Sequence, residues 1–421
     1  GGGLGERRSS RAERRVVPSA VTASSRPHRS LSGTAVVTRA WGAGSEEGLA
    51  LRQLAAALGH AGPVSVARLG PTKAPARPDG AFVVHGLESE PPDSTRRALL
   101  LALFANDTSP RRPLPGPARA WLRELDGKPA EGLGDWLGAR RPALVLTGGI
   151  DEASCDVALN WADRHGAEVV QAPLTTPEVL ATGAYDRRLG RAQRALAPSL
   201  AEAKAVAAGR GDADPDAAFS GVVLAINPLA WHSSPHGIEA RDYVLFLCAL
   251  PSDEPGSDER AWALAERCHA TLADTFGRLV TVRSGADRLV VAQGERTTAV
   301  RPPSGRMDFW RLLVRASVLV DLRPPGYLGR EVLEAMLAGV AVVVPEDAPV
   351  AAAVEAANGG LWWSTPNELE AVVAELCPLA SGRVNPLART LGEQGAAFAK
   401  QWCGSPGDFV ARVLHACGVA R

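Results

Sequence analysis

From Thr34 onward the chain alternates short apolar runs with stretches whose apolar positions recur every three or four residues, which predicts strands alternating with amphipathic helices. Thr34–Thr38 is a β-branched run. Ser45 then caps a helix carrying Glu46 and Glu47 in its first turn, Leu51, Leu54 and Leu58 follow at helical spacing, and Gly59 closes it. Strands are predicted at Val64–Leu69, Asp79–His85, Ala143–Thr147, Val169–Ala172, Ala195–Pro198 and Gly221–Ile226. Between them the pattern predicts helices over Pro91–Phe104, Ala118–Leu137 with a break at Gly127-Lys128-Pro129, Glu152–Arg164 and Leu200–Ala208. A turn-rich segment around His232–His236 reads as a linker. A second alternating set starts at Tyr243–Leu250 and continues with a helix over Asp258–Phe276, strands at Leu279–Arg283, Arg288–Ala292 and Thr297–Val300, and a helix over Asp308–Arg315. Thr365-Pro366-Asn367-Glu368 is a capping box that opens a helix to Leu376, and Asp408–Cys417 is a last helix. Two such sets predict an α/β protein of two doubly wound, Rossmann-like domains, at 34–229 and 242–400, joined by a linker at 230–241.

Composition narrows the class. The chain of 421 residues, 46% apolar, is long enough for two standard domains, and its 46 basic and 46 acidic residues balance to zero. That balance gives no electrostatic footprint for nucleic acid or an anionic membrane. Nearly all the basic residues are Arg, so a single Arg carries little functional weight. Six scattered cysteines without a Cys-x-x-Cys pair read as buried small hydrophobes in a reducing compartment. His232 and His236 lie four apart, but Pro235 forbids the helix that would pair them on a metal. No run has the length of a membrane span and no apolar signal core opens the chain, so a cytoplasmic protein is expected. Residues 1–33, rich in Gly, Ser and Arg, are expected to be a disordered basic tail.

The stretch that carries chemistry is Gly326–Gly339, GYLGREVLEAMLAG, between the apolar runs Ser317–Leu322 and Val340–Pro345. Strand, Gly-containing turn, helix and strand make a βαβ unit that brings backbone N–H groups to the carboxyl edge of a parallel sheet, a place suited to a nucleotide phosphate. Its spacing resembles the donor-binding motif of retaining GT-B glycosyltransferases of the family 4 kind. Gly329, Leu333-Glu334-Ala335-Met336, Ala338-Gly339 and Val342–Val344 are kept; Gly326 stands where the first Glu belongs.

The resemblance implies the GT-B fold and a nucleotide-sugar donor used without a metal or a bound cofactor. It assigns Glu334 to the ribose and the N–H groups of Gly329, Arg330 and Glu331 to the phosphates. It further implies an acceptor-side loop at Gly42 and Gly44, before the Gly59-His60 pair, and a final segment, 401–421, that crosses back to the first domain. The read of the residues alone leaves Glu334 as half of an i,i+4 ion pair with Arg330 on a solvated face. Three further departures bear on catalysis: Ala249 replaces the Arg that pairs with the diphosphate, Ser252-Asp253-Glu254 occupy the place of a Lys, and Gly149 lies where a His is expected. Arg283, Arg301 and Arg323 are candidates to supply the missing charge. Two readings follow, a divergent glycosyltransferase and a catalytically degenerate GT-B protein that binds a sugar, a nucleotide or a partner protein. Another two-domain enzyme such as a sugar-nucleotide epimerase is a third, since fold does not choose between them.

Overall fold

The computed structural model describes residues 33–41, 46–105, 114–175, 177–197, 206, 241, 243–249, 258–272, 278–282, 289–293, 296–300, 306–323, 329–348, 350–378 and 383–419. The expected tail apart from Gly33, the loop glycines Gly42 and Gly44, the helix at 200–208 apart from residue 206, the strand at 221–226, the linker apart from Arg241, Ser252–Glu254, Arg283, Arg301 and Gly326 lie outside the described residues.

The first half forms β1 (Thr34–Thr38), α1 (Glu46–Gly59), β2 (Val64–Gly70), β3 (Ala74–Asp79), β4 (Phe82–Glu88), α2 (Ser94–Ala105), α3 (Gly116–Glu124), α4 (Leu133–Arg140), β5 (Leu144–Gly148), α5 (Ser154–His165), β6 (Glu168–Ala172), α6 (Pro177–Ala181), α7 (Asp186–Arg191) and β7 (Arg194–Ala195). The strand order is β3-β4-β2-β1-β5-β6-β7. β1 is central, pairing in parallel with Val64–Arg68 on one side and Leu144–Gly148 on the other. All five of its residues are buried, as expected of a parallel strand covered on both faces.

One expectation is corrected here. Asp79–His85 is not a single strand: Asp79 ends β3, Phe82 begins β4, and the two pair antiparallel across Gly80-Ala81. Gly80, at φ +63°, supplies the left-handed residue that so tight a reversal needs. Pro75 and Pro78 keep β3 at the sheet's edge, where missing N–H donors cost no ladder bonds.

The second half gives β8 (Tyr243–Leu247), α8 (Glu259–Leu272), β9 (Arg278–Val282), β10 (Leu289–Gln293), β11 (Arg296–Val300), α9 (Arg306–Arg315), β12 (Val318–Asp321), α10 (Arg330–Leu337), β13 (Ala341–Pro345), α11 (Ala351–Ala357), β14 (Gly360–Trp363), α12 (Pro366–Leu376), α13 (Pro386–Cys403) and α14 (Pro406–Ala416). Their sheet runs β11-β10-β9-β8-β12-β13-β14, with five parallel strands and an antiparallel hairpin, β10–β11, at one edge. Neighbouring residues of each strand serve opposite cores. Leu245, Leu247, Leu319, Val342 and Val344 pack with α9, α10 and α11. Val244, Phe246, Val318, Val320 and Val343 pack with α8 and α12 on the other face.

Two terminal helices complete the arrangement. α13 approaches the backbone closely through small residues: a Cβ on Gly392 would stand 2.3 Å from the Gly339 carbonyl oxygen. Gly392→Ala is therefore expected to destabilise the second half by about 1–3 kcal/mol, as an overpacked core does; urea unfolding measures it, and an unchanged midpoint would contradict the contact. α14, opened by a Ser405–Asp408 capping box, places Val413, Leu414 and Ala416 against Leu51, Leu54 and Leu58 of α1 and Leu146 of β5.

All six cysteines are free and buried. Burial pushes the thiols of Cys155, Cys268, Cys377, Cys403 and Cys417 up to about 12, so none supplies a thiolate at neutral pH. Among the described residues no helix is long and apolar enough to cross a membrane, and no group of three or more His, Cys, Asp or Glu could hold a metal ion.

Candidate functional site

In the second sheet the chain leaves β8 through α8 toward β9, and leaves β12 through α10 in the opposite direction toward β13. The crevice at the carboxyl ends of β8 and β12 is thus the topological switch point, where open α/β sheets take their ligands. Ala249 follows β8 there and is buried, contributing a methyl group where the resemblance expects a guanidinium.

Gly329 opens α10 on the other side, at φ 72° and ψ 22°. A Cβ at this position would meet Val350 Cβ at 2.5 Å, so both the left-handed conformation and packing require glycine. Among the described residues no side chain caps the helix, and the positive end of the α10 dipole lies toward the carboxyl edge of the sheet.

Every residue of α10 is buried, including Arg330 at 2% exposure, Glu331 at 0% and Glu334 at 2%. The solvated i,i+4 pair is therefore corrected to a buried one: Arg330 Nε lies 3.5 Å from Glu334 Oε1, and Arg330 Nη2 lies 3.9 Å from Glu331 Oε1. Glu331 is held from the strand side. Arg323 donates to Asp321 through Nε at 2.8 Å and Nη2 at 2.7 Å, and through Nη1 to Glu331 Oε2 at 2.9 Å. Its backbone N–H also donates to Asp321 Oδ1, at 3.1 Å. Arg323, a candidate for the missing leaving-group charge, does stand beside α10, but its fork is occupied by two carboxylates. Among the described residues these ion pairs set two arginines against three carboxylates at a place suited by its backbone to an anion. Arg241 closes the far end of the helix, donating to the carbonyls of Ala338 at 2.5 Å and Gly339 at 2.6 Å; burial brings its pKa down to about 10.

The first sheet has its own switch point, between β1 and β5. Arg39, just after β1, pairs with Glu152, just after β5, through Nε to Oε1 at 2.7 Å and Nη2 to Oε2 at 3.2 Å. Arg39 Nη2 also donates to Ser89 Oγ at 2.7 Å and to the Glu90 carbonyl at 3.0 Å. Burial raises the Glu152 carboxyl, with Arg39 opposing. Behind this pair, Asp126 accepts from Arg97 at 3.1 Å, Arg188 at 2.7 Å and the Tyr185 hydroxyl at 2.9 Å, while Arg97 also pairs with Asp151 and Arg188 with Asp156. Burial outweighs these partners and brings the Asp126 carboxyl up to about 6. At Gly149, where the resemblance expects a His, the backbone carbonyl accepts from Cys155 Sγ. His85 contacts Arg140, Nε2 to Nη2 at 2.8 Å, and that guanidinium lies over Trp136; it sits in a structural cluster.

Sequence reasoning missed the Asp321–Arg323–Glu331 unit and the Arg39–Glu152 pair. Asp321 and Arg323 are two apart at a strand's end, a spacing that places them on one side and offered a signal. Arg39 and Glu152 are brought together only by the β1–β5 pairing.

The sequence matches no protein-family model and no curated protein. Solved structures do resemble this one. HepE of Anabaena, in complex with UDP and glucose, superposes with a TM-score of 0.55 over 90% of this chain and 98% of its own, at 12% identity. Sucrose-phosphate synthase of Thermosynechococcus elongatus gives 0.55 over 90% and 96%, at 13% identity. UGT2 of Phytolacca americana, in complex with UDP-2-fluoro-glucose and pterostilbene, gives 0.51 over 92% and 100%, at 12% identity. Similarity at these identities establishes architecture, and the two doubly wound α/β domains of this chain have the GT-B fold of those glycosyltransferases.

Proposed function

We propose that this protein is a divergent glycosyltransferase of the family 4 kind, which holds a nucleotide sugar at the switch point of its second sheet and passes the sugar to an acceptor on the first domain. The observation that carries this reading is α10: a helix opened by Gly329, without a side-chain cap, directly behind the carboxyl end of β12, with the Glu334 carboxylate in its second turn. The first-turn N–H groups of Arg330 and Glu331 are suited to the diphosphate. Glu334 is suited to the two ribose hydroxyls, once Arg330, at the long distance of 3.5 Å, gives way. Breaking the anomeric C–O bond leaves its electron pair on the diphosphate, and aimed backbone dipoles would stabilise that charge as it develops. The acceptor would approach past Gly42 and Gly44, the acceptor-side residues that the resemblance implies. The solved relatives in fold that were crystallised with UDP and glucose or UDP-2-fluoro-glucose support a nucleotide-sugar donor. The six free, buried thiols and such a donor support a cytoplasmic setting.

A second reading, binding without transfer, is favoured by the charge balance at the same site. Arg323 and Arg330 are engaged by Asp321, Glu331 and Glu334, and Ala249 offers no donor. In that case the protein presents a nucleotide or sugar, or docks on an active partner enzyme.

A thermal-shift panel of nucleotide sugars tests both. One donor is expected to stabilise the protein, by about 2.7 kcal/mol at a hundredfold excess over its Kd. Glu334→Gln, which keeps the side-chain volume, is expected to remove most of the shift. No shift with any donor at millimolar concentration would overturn the proposal. A shift with no donor hydrolysis by the pure protein would select binding alone.

A further inference from the structure

The first sheet carries at its own switch point an arginine that donor binding leaves unused. Arg39 follows β1, and its side chain keeps 24% of its surface exposed. Two of its three guanidinium nitrogens are committed. Nε donates to Glu152 Oε1 at 2.7 Å, and Nη2 donates to Glu152 Oε2, to Ser89 Oγ and to the Glu90 carbonyl. The third, Nη1, makes no hydrogen bond among the described residues. Held from the ends of both β4 and β5, the planar guanidinium keeps the two N–H groups of Nη1 in one fixed direction.

Glu152 is itself fixed. Its side chain is 8% exposed, and the two residues before it are gripped by further arginines: Arg188 Nη1 donates to the Ile150 carbonyl at 2.8 Å, and Arg97 pairs with Asp151. A donor ordered in advance loses little entropy when its partner arrives, so this rigidity suits a binding group. The sign of the partner follows from the charges. Glu152 already neutralises Arg39, and an anion that took the guanidinium for itself would leave a buried carboxylate unpaired, which is strongly unfavourable. A neutral oxygen can accept from Nη1 while the pair stays intact.

We propose that Arg39 is the acceptor-binding residue of the first domain, donating from Nη1 to an oxygen of a neutral, hydroxyl-bearing acceptor, and that Glu152 is the positioning residue that disfavours anionic ones. Its assignment to the acceptor rests on the glycosyltransferase reading, whereas the preference for a neutral ligand rests on the pair alone.

Two probe pairs that differ by one anionic group test it: glucose with glucose 6-phosphate, and glycerol with glycerol 3-phosphate. Each is titrated into the full chain to tens of millimolar and followed by ligand-observed NMR. At least one neutral probe is expected to bind saturably, and its phosphate about tenfold more weakly. Arg39→Lys is expected to weaken the neutral probe by about threefold to tenfold, because an ammonium cannot hold Glu152, Ser89 and a ligand in one plane. Glu152→Gln keeps the volume, releases the charge of Arg39 and is expected to shift the ratio about tenfold toward the phosphate. A side chain that only stiffened the domain would leave that ratio alone. Urea unfolding checks that both variants are folded, and Arg39→Lys, which keeps the charge, carries the test should Glu152→Gln not fold. No binding of either neutral probe, a phosphate bound as well as its neutral partner, neutral binding unchanged in Arg39→Lys, or a ratio unchanged in folded Glu152→Gln would each overturn the proposal. Stabilisation by a nucleotide sugar without neutral-probe binding would overturn this inference and leave the donor reading standing. Neutral-probe binding that responds to both substitutions, without stabilisation by any nucleotide sugar, would support the pair and overturn the donor reading.

Discussion

Replacing Arg323 by Met is expected to destabilise the second domain by about 3–5 kcal/mol, the loss found when one partner of a buried ion pair is removed. The guanidinium is 1% exposed and spans Asp321 and Glu331, whose side chains are 7% and 0% exposed. Removing it withdraws the guanidinium from both carboxylates, which must then stay charged in a buried place without it or take up protons. Lys in its place is expected to recover only part of the loss, because one ammonium cannot repeat the two parallel bonds to Asp321 and the third to Glu331. Replacing Asp321, Arg323 and Glu331 together by apolar residues of similar volume is expected to be far milder than Arg323→Met. Urea unfolding of the four proteins provides the comparison. A loss below about 1 kcal/mol for Arg323→Met would show that the cluster is solvated rather than buried.

The second large effect is a pH dependence lodged in the same domain. His269 of α8 is partly buried against β8 and β9, its ring edge-on to Phe246 and its Nε2 3.0 Å from Thr281 Oγ1, and desolvation lowers its pKa from 6.5 to about 4. The unfolded chain therefore binds a proton near pH 6.5 that the folded chain refuses until about pH 4. Stability is fully present above pH 6.5 and is lost as pH falls toward 4, by about 3 kcal/mol in all. His269→Gln keeps a partner for Thr281 and carries no such proton, so the stability difference between the two proteins is expected to vary with pH only inside this window. A difference that stays constant from pH 7 to pH 4 would contradict the burial of the ring. Asp126 in the first domain works in the other direction. Its carboxyl is held up at about 6 against an ordinary 3.8, so acidification across that interval favours the folded first domain while it penalises the second.

How far the sequence could be read depended on which residues formed each buried face. Thr34–Thr38 and the Thr365–Glu368 capping box were legible because their signals are local, a β-branched run and a reciprocal pair of side-chain bonds. α13, eighteen residues long, was missed because its buried face is mostly small, with Ala388, Gly392, Gly395, Ala396 and Ala399 beside Leu391 and Cys403, and gives little hydropathy contrast with the rest. The Asp79–His85 strand was misread because apolar alternation does not show that the chain turns at Gly80 and pairs with itself. At the candidate site, the motif located Gly329 and Glu334 on α10 but not their surroundings. Whether Arg330 and Glu334 face water is decided by α11 and α13 packing beside α10, and the engagement of Arg323 by the ends of β12 and α10 meeting.

The return of α14 to the first sheet also bears on the order in which the molecule can be made. Leu51, Leu54, Leu58 and Leu146 are covered by Val413, Leu414 and Ala416, so the core of the first sheet is closed by residues that follow the whole of the second sheet in the chain. At about 5–20 residues per second, roughly 200 residues must still emerge from the ribosome after β7 before that face can be sealed, a delay of about 10–40 s. During this interval the apolar face of α1 and β5 that α14 covers stays open, and the emergence of α14 is the event that closes it.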